Sequence, residues 1–330
     1  MKLEDIGFYT LCDERAENTS VSSKMWRCEL LITDRCNFKC PYCRGSNYYE
    51  HGDMDVVDGF RALDLWIEDG LKNVRFSGGE PTLHPLLFNL VAHCLAGGVE
   101  RIAVSSNGAS GMRLYELLVK AGVNDFSISL DACCAQVGEK MSGRGSWGAV
   151  VDTIRELSKI TYVSVGMVFT DANVDQCLES VLFADSLGVS DIRVIPSAQY
   201  NHALVRLSEL PAAILAKYPI LRYRVENITE GHHVRGMDEN SPKKCSLVLD
   251  DSVIAGGNHY PCVIYMREGG KPIGEVGSNM REERAAWREI HSPKDDPICS
   301  EMCLDICMAY NRKVETLSQD CSRQTRREES

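Results

Sequence analysis

The chain has 330 residues, a net charge of −11 and a mass of 36.7 kDa, the size of one large domain with an appendage or of two domains. No apolar run approaches the 18 residues of a membrane span, and the acidic start MKLEDIGFYT lacks the features of a signal peptide, so we expect a cytoplasmic protein. The negative charge disfavours a nucleic-acid partner, and 15 cysteines in such a chain favour metal or redox chemistry over disulfides.

Short β-rich runs alternate with amphipathic stretches over the first two thirds of the chain. We predict strands at 29–33, 73–77, 101–105, 125–130, 163–169 and 191–195. We predict helices near 57–68, 85–95, 112–121, 147–158, 174–187 and 207–217. Six alternations predict an α/β fold of parallel strands covered by helices, either a doubly wound sheet or a whole or partial barrel. Polar and glycine residues follow the predicted strands, where such folds place their ligands.

The pattern fades after about residue 200, and cysteines become frequent again from Cys245 to Cys321. We therefore divide the chain into an extension at 1–24, a barrel at 25–200, a connecting segment at 201–244 and a smaller cysteine-rich module at 245–315. The polar tail at 316–330 is expected to be disordered.

Three cysteines, Cys36, Cys40 and Cys43, directly follow the first predicted strand in the segment CNFKCPYC. Thiolates this close together can converge from one loop on a single soft-metal centre. Only three ligands are local, and an open coordination position is typical of a catalytic metal.

The segment CNFKCPYC resembles the CxxxCxxC loop of the radical S-adenosylmethionine (SAM) superfamily, and the resemblance extends from about Trp26 to Pro196. In that family the three cysteines bind a [4Fe-4S] cluster whose unique iron is chelated by SAM, and the fold is a partial (β/α)6 TIM-like barrel. The resemblance implies an enzyme that cleaves SAM reductively to a 5′-deoxyadenosyl radical. A one-electron reductant such as flavodoxin or ferredoxin is then the implied partner.

Further motifs lie where this family binds SAM. Gly78-Gly79-Glu80 resembles the GGE motif that holds the SAM amino group, and a carboxylate is a good acceptor for an ammonium group. The other residues that the resemblance implies are Tyr42 in the cysteine loop, Ser106 and Asn107 after the third strand, Ser129 and Asp131 at the ribose, Arg144 at the SAM carboxylate and Val168 at the adenine. For Arg144 and Val168 the alternatives are an arginine at a helix start and a valine in the core.

A second group of cysteines begins at Cys245, and the spacing to Gly257 and Cys262 fits the C-x(9–15)-G-x4-C signature of SPASM and twitch modules. The later run of Cys299, Cys303 and Cys307 departs from the SPASM spacing, and it would lie on one helical face if that segment is a helix. The resemblance implies one auxiliary [4Fe-4S] cluster, held by Cys245, Cys262, Cys303 and one of Cys299 or Cys307. A zinc site built from the same cysteines, with His291, is the alternative.

We expect a small-molecule substrate, such as a sugar, a nucleoside or an amino-acid-like metabolite, and dehydrogenation, decarboxylation and rearrangement all remain open. Only about 25 residues precede the first strand, too few for the peptide-recognition domain that many peptide maturases carry. A peptide maturase, a base-modifying enzyme and a non-enzymatic iron–sulfur protein are the alternatives. The GTP-cyclising family of molybdopterin synthesis is also similar, but this chain lacks its Gly-Gly tail and auxiliary spacing. Tyr200, Asp171 and Cys133 lie near predicted strand ends and are candidates for proton transfer.

Overall fold

A sheet of nine strands organises the fold. The structure, a computed structural model, describes residues 13–44, 52–197 and 204–328, so the candidate Tyr200 lies outside the described residues. The strands are β1 Arg27–Thr33, β2 Asn73–Gly78, β3 Arg101–Ser106, β4 Asp125–Ser129, β5 Tyr162–Phe169, β6 Asp191–Pro196, β7 Asp251–Ala255, β8 Asn258–Tyr260 and β9 Gly274–Glu275.

Helices follow most of the strands. They are α1 Asp13–Asn18, α2 Val56–Glu68, α3 Leu87–Ala96, α4 Met112–Ala121, α5 Ala135–Ser142, α6 Trp147–Leu157, α7 Cys177–Ser186, α8 Ala212–Lys217, α9 Pro219–Thr229, α10 Val263–Arg267, α11 Met280–Ile290, α12 Pro297–Met302 and α13 Asp305–Glu328. Short 3-10 turns occur at Pro81–Leu83, Val174–Gln176, Val205–Glu209 and Ser246–Leu249. None of the helices in the described part of the chain is long and apolar enough to cross a membrane.

The strand order is β6-β5-β4-β3-β2-β1-β7-β8-β9. Strands β1 to β6 are all parallel to their neighbours, which confirms the six predicted parallel strands. The sheet is open, with β6 and β9 at its two edges. This is the predicted α/β class with a partial rather than a closed barrel.

The cysteine-rich module opens with a hairpin that extends the barrel sheet. Strand β7 pairs in parallel with β1, and β8 returns antiparallel to β7 after Gly256 and Gly257. Gly256 has a φ of +56°, which this tight turn requires and glycine adopts without strain. The module therefore begins beside the strand that leads into the first cysteine loop.

The two faces of the sheet differ in chemistry. On β1, Cys28, Leu30 and Ile32 join the main hydrophobic core with residues of the helices. The alternate residues point to the opposite face, where Arg27 donates to Glu29 at 2.7 Å and to Asp251 at 2.9 Å. Arg75, Ser164 and Arg193 continue the polar side chains of this face as far as β6, while Leu31, Val253 and Ala255 form an apolar cluster beside β7. The face that parallel strands leave for ligands is therefore mostly polar.

A buried arginine joins α11 to the hairpin. Arg284 is fully buried and donates to the carbonyl oxygens of Val248 at 2.8 Å, Tyr260 at 2.9 Å and Asp251. Burial lowers the pKa of Arg284 to about 10, so the guanidinium remains charged at neutral pH. Three carbonyl groups from separate segments therefore share one buried side chain as a donor.

Three expectations about local structure were wrong. The predicted helix at 207–217 is interrupted before α8, because Leu210 is extended ahead of Pro211. Cys299, Cys303 and Cys307 do not share one helix, because α12 ends at Met302 and α13 begins at Asp305. The tail continues α13 through Glu328 instead of being disordered, because its residues after the break favour a helix and contain no proline or glycine.

Candidate functional site

The base of the first cysteine loop rests on the end of β2. The backbone N–H of Gly79 donates to the carbonyl of Thr33 at 2.7 Å, and that of Glu80 donates to the carbonyl of Arg35 at 2.7 Å. A Cβ atom on Gly78 would lie 2.2 Å from the carbonyl oxygen of Thr33, and one on Gly79 would lie 2.4 Å from that of Arg35. Both glycines are therefore needed for this close approach, independently of any contact with a ligand.

The three cysteines of this loop follow β1 and lie near the carboxyl-terminal ends of the neighbouring strands. Cys36 and Cys43 are exposed, and Cys40 is half-buried with its thiol 3.8 Å from the carbonyl of Ser142. Among the described residues, one trio alone has histidine, cysteine or carboxylate ligand atoms that all lie within 4.8 Å of one another, and it does not include these cysteines. Three thiolates on one loop with an open position are the donor set of a cluster with one unique metal atom.

Burial makes two of the loop thiols, Cys36 and Cys40, harder to deprotonate. Burial raises the pKa of Cys40 to about 11. Burial also raises the pKa of Cys36, although a hydrogen bond from the N–H of Phe38 opposes this shift. Asn107 donates to Asn37 at 2.6 Å and lies 3.9 Å from the sulfur of Cys36. A metal would have to displace these protons, as is usual for thiolate ligands.

Glu80 is fully buried, and protein groups surround its carboxylate. One oxygen accepts from the Thr82 hydroxyl at 2.6 Å and the Ser106 hydroxyl at 2.9 Å, and the other accepts from the N–H of Asn107 at 2.7 Å. Burial raises the pKa of Glu80, although these donors oppose that shift. Glu80 therefore joins the end of β2 to the turn after β3, and it brings together three of the predicted residues.

Tyr42 and Asp131 join the cysteine loop to β4 and β5. The hydroxyl of Tyr42 donates to one oxygen of Asp131, and the N–H of Val168 donates to the other at 2.7 Å. Burial raises the pKa of Asp131 to about 6, and both donors oppose that shift. Ser129 is exposed at the end of β4. Val168 is half-buried on the polar face, whereas its neighbours Met167 and Phe169 are in the core, so the alternative of a core valine was wrong.

Arg144 reaches the cysteine loop from the segment after α5. It is exposed and donates to the carbonyl oxygen of Asn37 at 2.9 Å. Arg144 lies between the end of α5 at Ser142 and the N-cap of α6 at Ser146. The predicted residues of the barrel therefore converge at the carboxyl-terminal ends of the strands.

Sequence reasoning missed Asn173, which is buried against the ends of β4 and β5. Its amide donates to the carbonyl oxygens of Asp131 at 2.7 Å and Val168 at 2.8 Å, and its oxygen accepts from the N–H of Thr170 at 2.8 Å. An asparagine four residues after a strand was the available signal. Of the proton-transfer candidates, Cys133 contacts Gln176 at 3.7 Å and Asp171 is exposed.

A second site lies beside the hairpin. Its pocket has an empty volume of about 530 Å³, including the part open to solvent, and five cysteines line it: Cys245, Cys262, Cys299, Cys303 and Cys307. The side chain of Cys321 lies outside the described residues. The rest of the lining is mostly apolar, with Met237, Pro242 and Ile264 among its residues. Five thiols around a largely apolar pocket fit an iron–sulfur cluster.

Local contacts orient the thiols of this pocket. The sulfur of Cys245 lies 3.8 Å from the amide nitrogen of Asn311, whose oxygen accepts from the N–H of Ser246 at 2.7 Å. The N–H of Tyr265 donates to the sulfur of Cys262 at 3.4 Å. An ion pair between Arg44 and Glu268 joins the residue after Cys43 to the end of α10, which begins directly after Cys262. The two cysteine sites are thus tied together.

Comparison with known proteins matches the barrel part of the chain. The family model described as Radical SAM superfamily matches residues 30–184. Molybdenum cofactor biosynthesis protein 1 of Bos taurus is 28% identical over 174 residues, which are 50% of this chain and 27% of that protein. GTP 3′,8-cyclase of Helicobacter pylori (strain HPAG1) is 24% identical over 254 residues, 71% of this chain and 79% of that protein. Against the first of these, the match spans under a third of the relative's length.

Solved structures share the fold. The structure of Streptococcus suis SuiB bound to precursor peptide SuiA superposes with a TM-score of 0.58 at 16% identity, covering 84% of this chain and 66% of that one. Native anSMEcpe with bound AdoMet superposes with a TM-score of 0.57 at 13% identity, covering 92% of this chain and 100% of that one. At these identities the likeness concerns the fold alone.

Proposed function

Residues 30–184 are a radical SAM domain and the chain is a radical SAM enzyme, and on this basis we propose that it generates a 5′-deoxyadenosyl radical to abstract a hydrogen atom from a small-molecule substrate. The observation that carries the proposal is the convergence of Cys36, Cys40 and Cys43 with Glu80 and Asp131 at the carboxyl-terminal ends of the strands. A non-enzymatic iron–sulfur carrier has no need of the second set of residues.

The three loop cysteines would hold a [4Fe-4S] cluster, which when bound supplies the electron that splits SAM into methionine and the radical. The chain orients SAM around it. Ser129 and the carboxylate of Asp131 would accept from the ribose hydroxyls, and Val168 would lie against the adenine. These residues end β4 and β5, so one bound molecule can span both strands.

The methionine end of SAM would lie over β2 and β3. Gly79, Glu80, Ser106 and Asn107 meet there, and the polar groups of this turn would bind the amino group. Tyr42 positions Asp131, and Arg144 can reach the SAM carboxylate from its place beside Asn37. In this arrangement Glu80 mainly fixes the turn that receives the amino group.

We assign an auxiliary [4Fe-4S] cluster to Cys245, Cys262, Cys303 and Cys307. Cys303 and Cys307 are close enough to share a hydrogen bond, whereas the sulfur of Cys299 lies beside His291. Four thiolates close the coordination of the cluster, which favours electron transfer over direct binding of the substrate. We therefore expect a net oxidation, with the auxiliary cluster accepting an electron from the substrate. A flavodoxin or ferredoxin would reduce the first cluster.

The polar face of the sheet supports a polar metabolite as the substrate. Arg193 donates to the hydroxyls of Ser127 and of Ser164, the latter at 2.8 Å, and Glu29 accepts from Ser77 at 2.7 Å. Such a surface suits a sugar, a nucleoside or an amino-acid-like molecule. GTP 3′,8-cyclase, a relative that aligns with 71% of this chain, is named for a small nucleotide.

Iron and sulfide analysis after anaerobic reconstitution tests the cluster assignment. We expect about eight irons per chain, and about four in the Cys36/Cys40/Cys43→Ala variant. The matched control is Cys133→Ser/Cys134→Ser, whose thiols contact Gln176 outside both sites, and it should keep about eight. Four irons that fall to none in the triple variant would remove the auxiliary cluster from the proposal.

Production of 5′-deoxyadenosine from SAM under reducing conditions tests the activity. The native chain should cleave SAM, and the triple variant should not. Deuterated sugars, nucleosides and amino acids are then screened for transfer of deuterium into 5′-deoxyadenosine. No SAM cleavage by a chain with full iron content would leave an iron–sulfur carrier, and transfer from peptides or nucleic acids alone would overturn the small-molecule assignment.

A further inference from the structure

Cys299 lines the second pocket with the other four cysteines, and its sulfur also faces a histidine. Its sulfur lies 3.6 Å from Nε2 of His291. The ligand atoms of His291, Asp296 and Cys299 all lie within 4.8 Å of one another, and no other trio of histidine, cysteine or carboxylate residues in the described part of the chain does so. These three side chains are thus the group with the spacing of a single-ion site.

The distances match tetrahedral coordination of one ion. Ligand atoms bound at roughly 2.0–2.3 Å to a tetrahedral ion lie about 3.3–3.8 Å apart. The distance from His291 Nε2 to Cys299 Sγ is 3.6 Å, and that from Nε2 to the nearer oxygen of Asp296 is 4.0 Å. A movement of a few tenths of an ångström would bring the carboxylate into range.

Neighbouring residues hold the three side chains in place. The ring of His291 stacks on Trp287 with centroids 3.9 Å apart. One oxygen of Asp296 accepts from the N–H groups of Ile298 and Cys299, and the other accepts from the hydroxyl of Tyr265 at 3.1 Å. Ligands oriented by outer hydrogen bonds and packing are typical of built metal sites. The side chains of His291 and Asp296 are only 13% and 15% exposed.

We propose that His291, Asp296 and Cys299 bind one zinc ion beside the auxiliary cluster. Nitrogen, sulfur and carboxylate ligands together suit zinc, and a thiolate with a carboxylate balances its two charges. The count of cysteines agrees, since a cluster takes four of the five and leaves Cys299; this step rests on the proposed function. The ion would hold together the end of α11 and the start of α12, with its fourth position open to water.

Zinc and iron are measured together on the chain reconstituted with iron and sulfide, equilibrated with micromolar Zn²⁺ and desalted. We expect one zinc and about eight irons per chain. In His291→Gln and in Cys299→Ser, the affinity for Zn²⁺, measured by competition with a chelating dye, should fall at least tenfold while iron stays at about eight. His232→Gln, which changes an exposed histidine, should bind zinc as the native chain does.

Two results would overturn the proposal. A native chain with eight irons and no zinc would do so, as would a loss of about four irons in Cys299→Ser, which would make Cys299 a cluster ligand with His291 as its hydrogen-bond donor. A native chain with only four irons would contradict the auxiliary cluster instead. Zinc binding is then measured in Cys245→Ser. Zinc binding that requires His291 but not Cys245 would support the single-ion site, and zinc binding that is lost in Cys245→Ser would refute it.

Discussion

Replacing Gly79 by alanine tests the contact on which the first cysteine loop is built. The added Cβ would lie 2.4 Å from the carbonyl oxygen of Arg35 and 2.7 Å from that of Asp34. Carbon and oxygen rarely approach within about 3.0 Å, so the carbonyl of Arg35, one residue before Cys36, must retreat by roughly 0.6 Å. Its hydrogen bond from the N–H of Glu80, now 2.7 Å, would stretch to about 3.3 Å and weaken.

The energetic cost follows from these two effects. Overpacking of a rigid contact costs about 1–3 kcal/mol, and the weakened hydrogen bond adds about 1 kcal/mol. We expect the free energy of unfolding to fall by about 2–4 kcal/mol, and the iron bound by Cys36, Cys40 and Cys43 to fall with it. Urea denaturation followed by circular dichroism measures the first, and iron analysis of the reconstituted variant measures the second.

Gly148 provides the matched control. It lies on the exposed surface of α6, and a Cβ there would meet nothing within 4 Å. Gly148→Ala should keep full iron and gain about 0.5–1 kcal/mol, because alanine favours a helix over glycine. A Gly79→Ala variant with the native unfolding midpoint and the native iron content would refute the argument that this contact requires glycine.

Three further changes have defined outcomes. Arg284→Met should lower the unfolding free energy by about 3–5 kcal/mol, because three carbonyl groups lose their donor, whereas exposed Arg222→Met should change it little; urea denaturation compares them. Burial raises the pKa of Asp191 from 3.8 to about 6, so the stability linked to this carboxyl is complete below about pH 4 and is lost as the pH rises through 6, by up to about 3 kcal/mol. Asp191→Asn should remove that loss, and denaturation midpoints at pH 4 and pH 8 that change equally in both proteins would contradict it. Asn173→Ala should cost about 2–3 kcal/mol and raise the SAM concentration needed for half-maximal cleavage; unchanged SAM dependence would separate Asn173 from the SAM site.

The strands were predictable because their apolar runs are short, rich in β-branched residues and bounded by polar turns. The predicted strand at 73–77 and the observed Asn73–Gly78 differ by one residue. Helix α5 was missed because Ala135–Ser142 follows closely on β4 and carries only a weak apolar stripe. The run Cys299, Cys303 and Cys307 kept its helical spacing in sequence but lost its common helix at Cys303, where the backbone turns extended.

The candidate site divides in the same way. Local spacing predicted the loop of Cys36, Cys40 and Cys43, and the family resemblance supplied the residues implied to bind SAM. Contacts between distant residues carried no such signal. Tyr42 and Asp131 are 89 positions apart, and the type of one residue does not predict the other as its partner. The trio at Cys299 is local in sequence: His291 was named there as a zinc ligand with the cysteines, whereas Asp296 was missed because nothing distinguished it from other surface acids.

The order of strands explains why the two cysteine sites can work together. Strand β1 ends in the first cysteine loop and lies between β2, which carries Gly79 and Glu80, and β7, which opens the hairpin leading to Cys262. A module added at the far edge, beside β6, would be separated from the loop by five strands. Addition beside β1 instead places the second pocket next to the first, with Arg44 and Glu268 paired between them. A substrate over β1 would therefore be close to both proposed cluster sites, the one proposed to generate the radical and the one proposed to accept an electron.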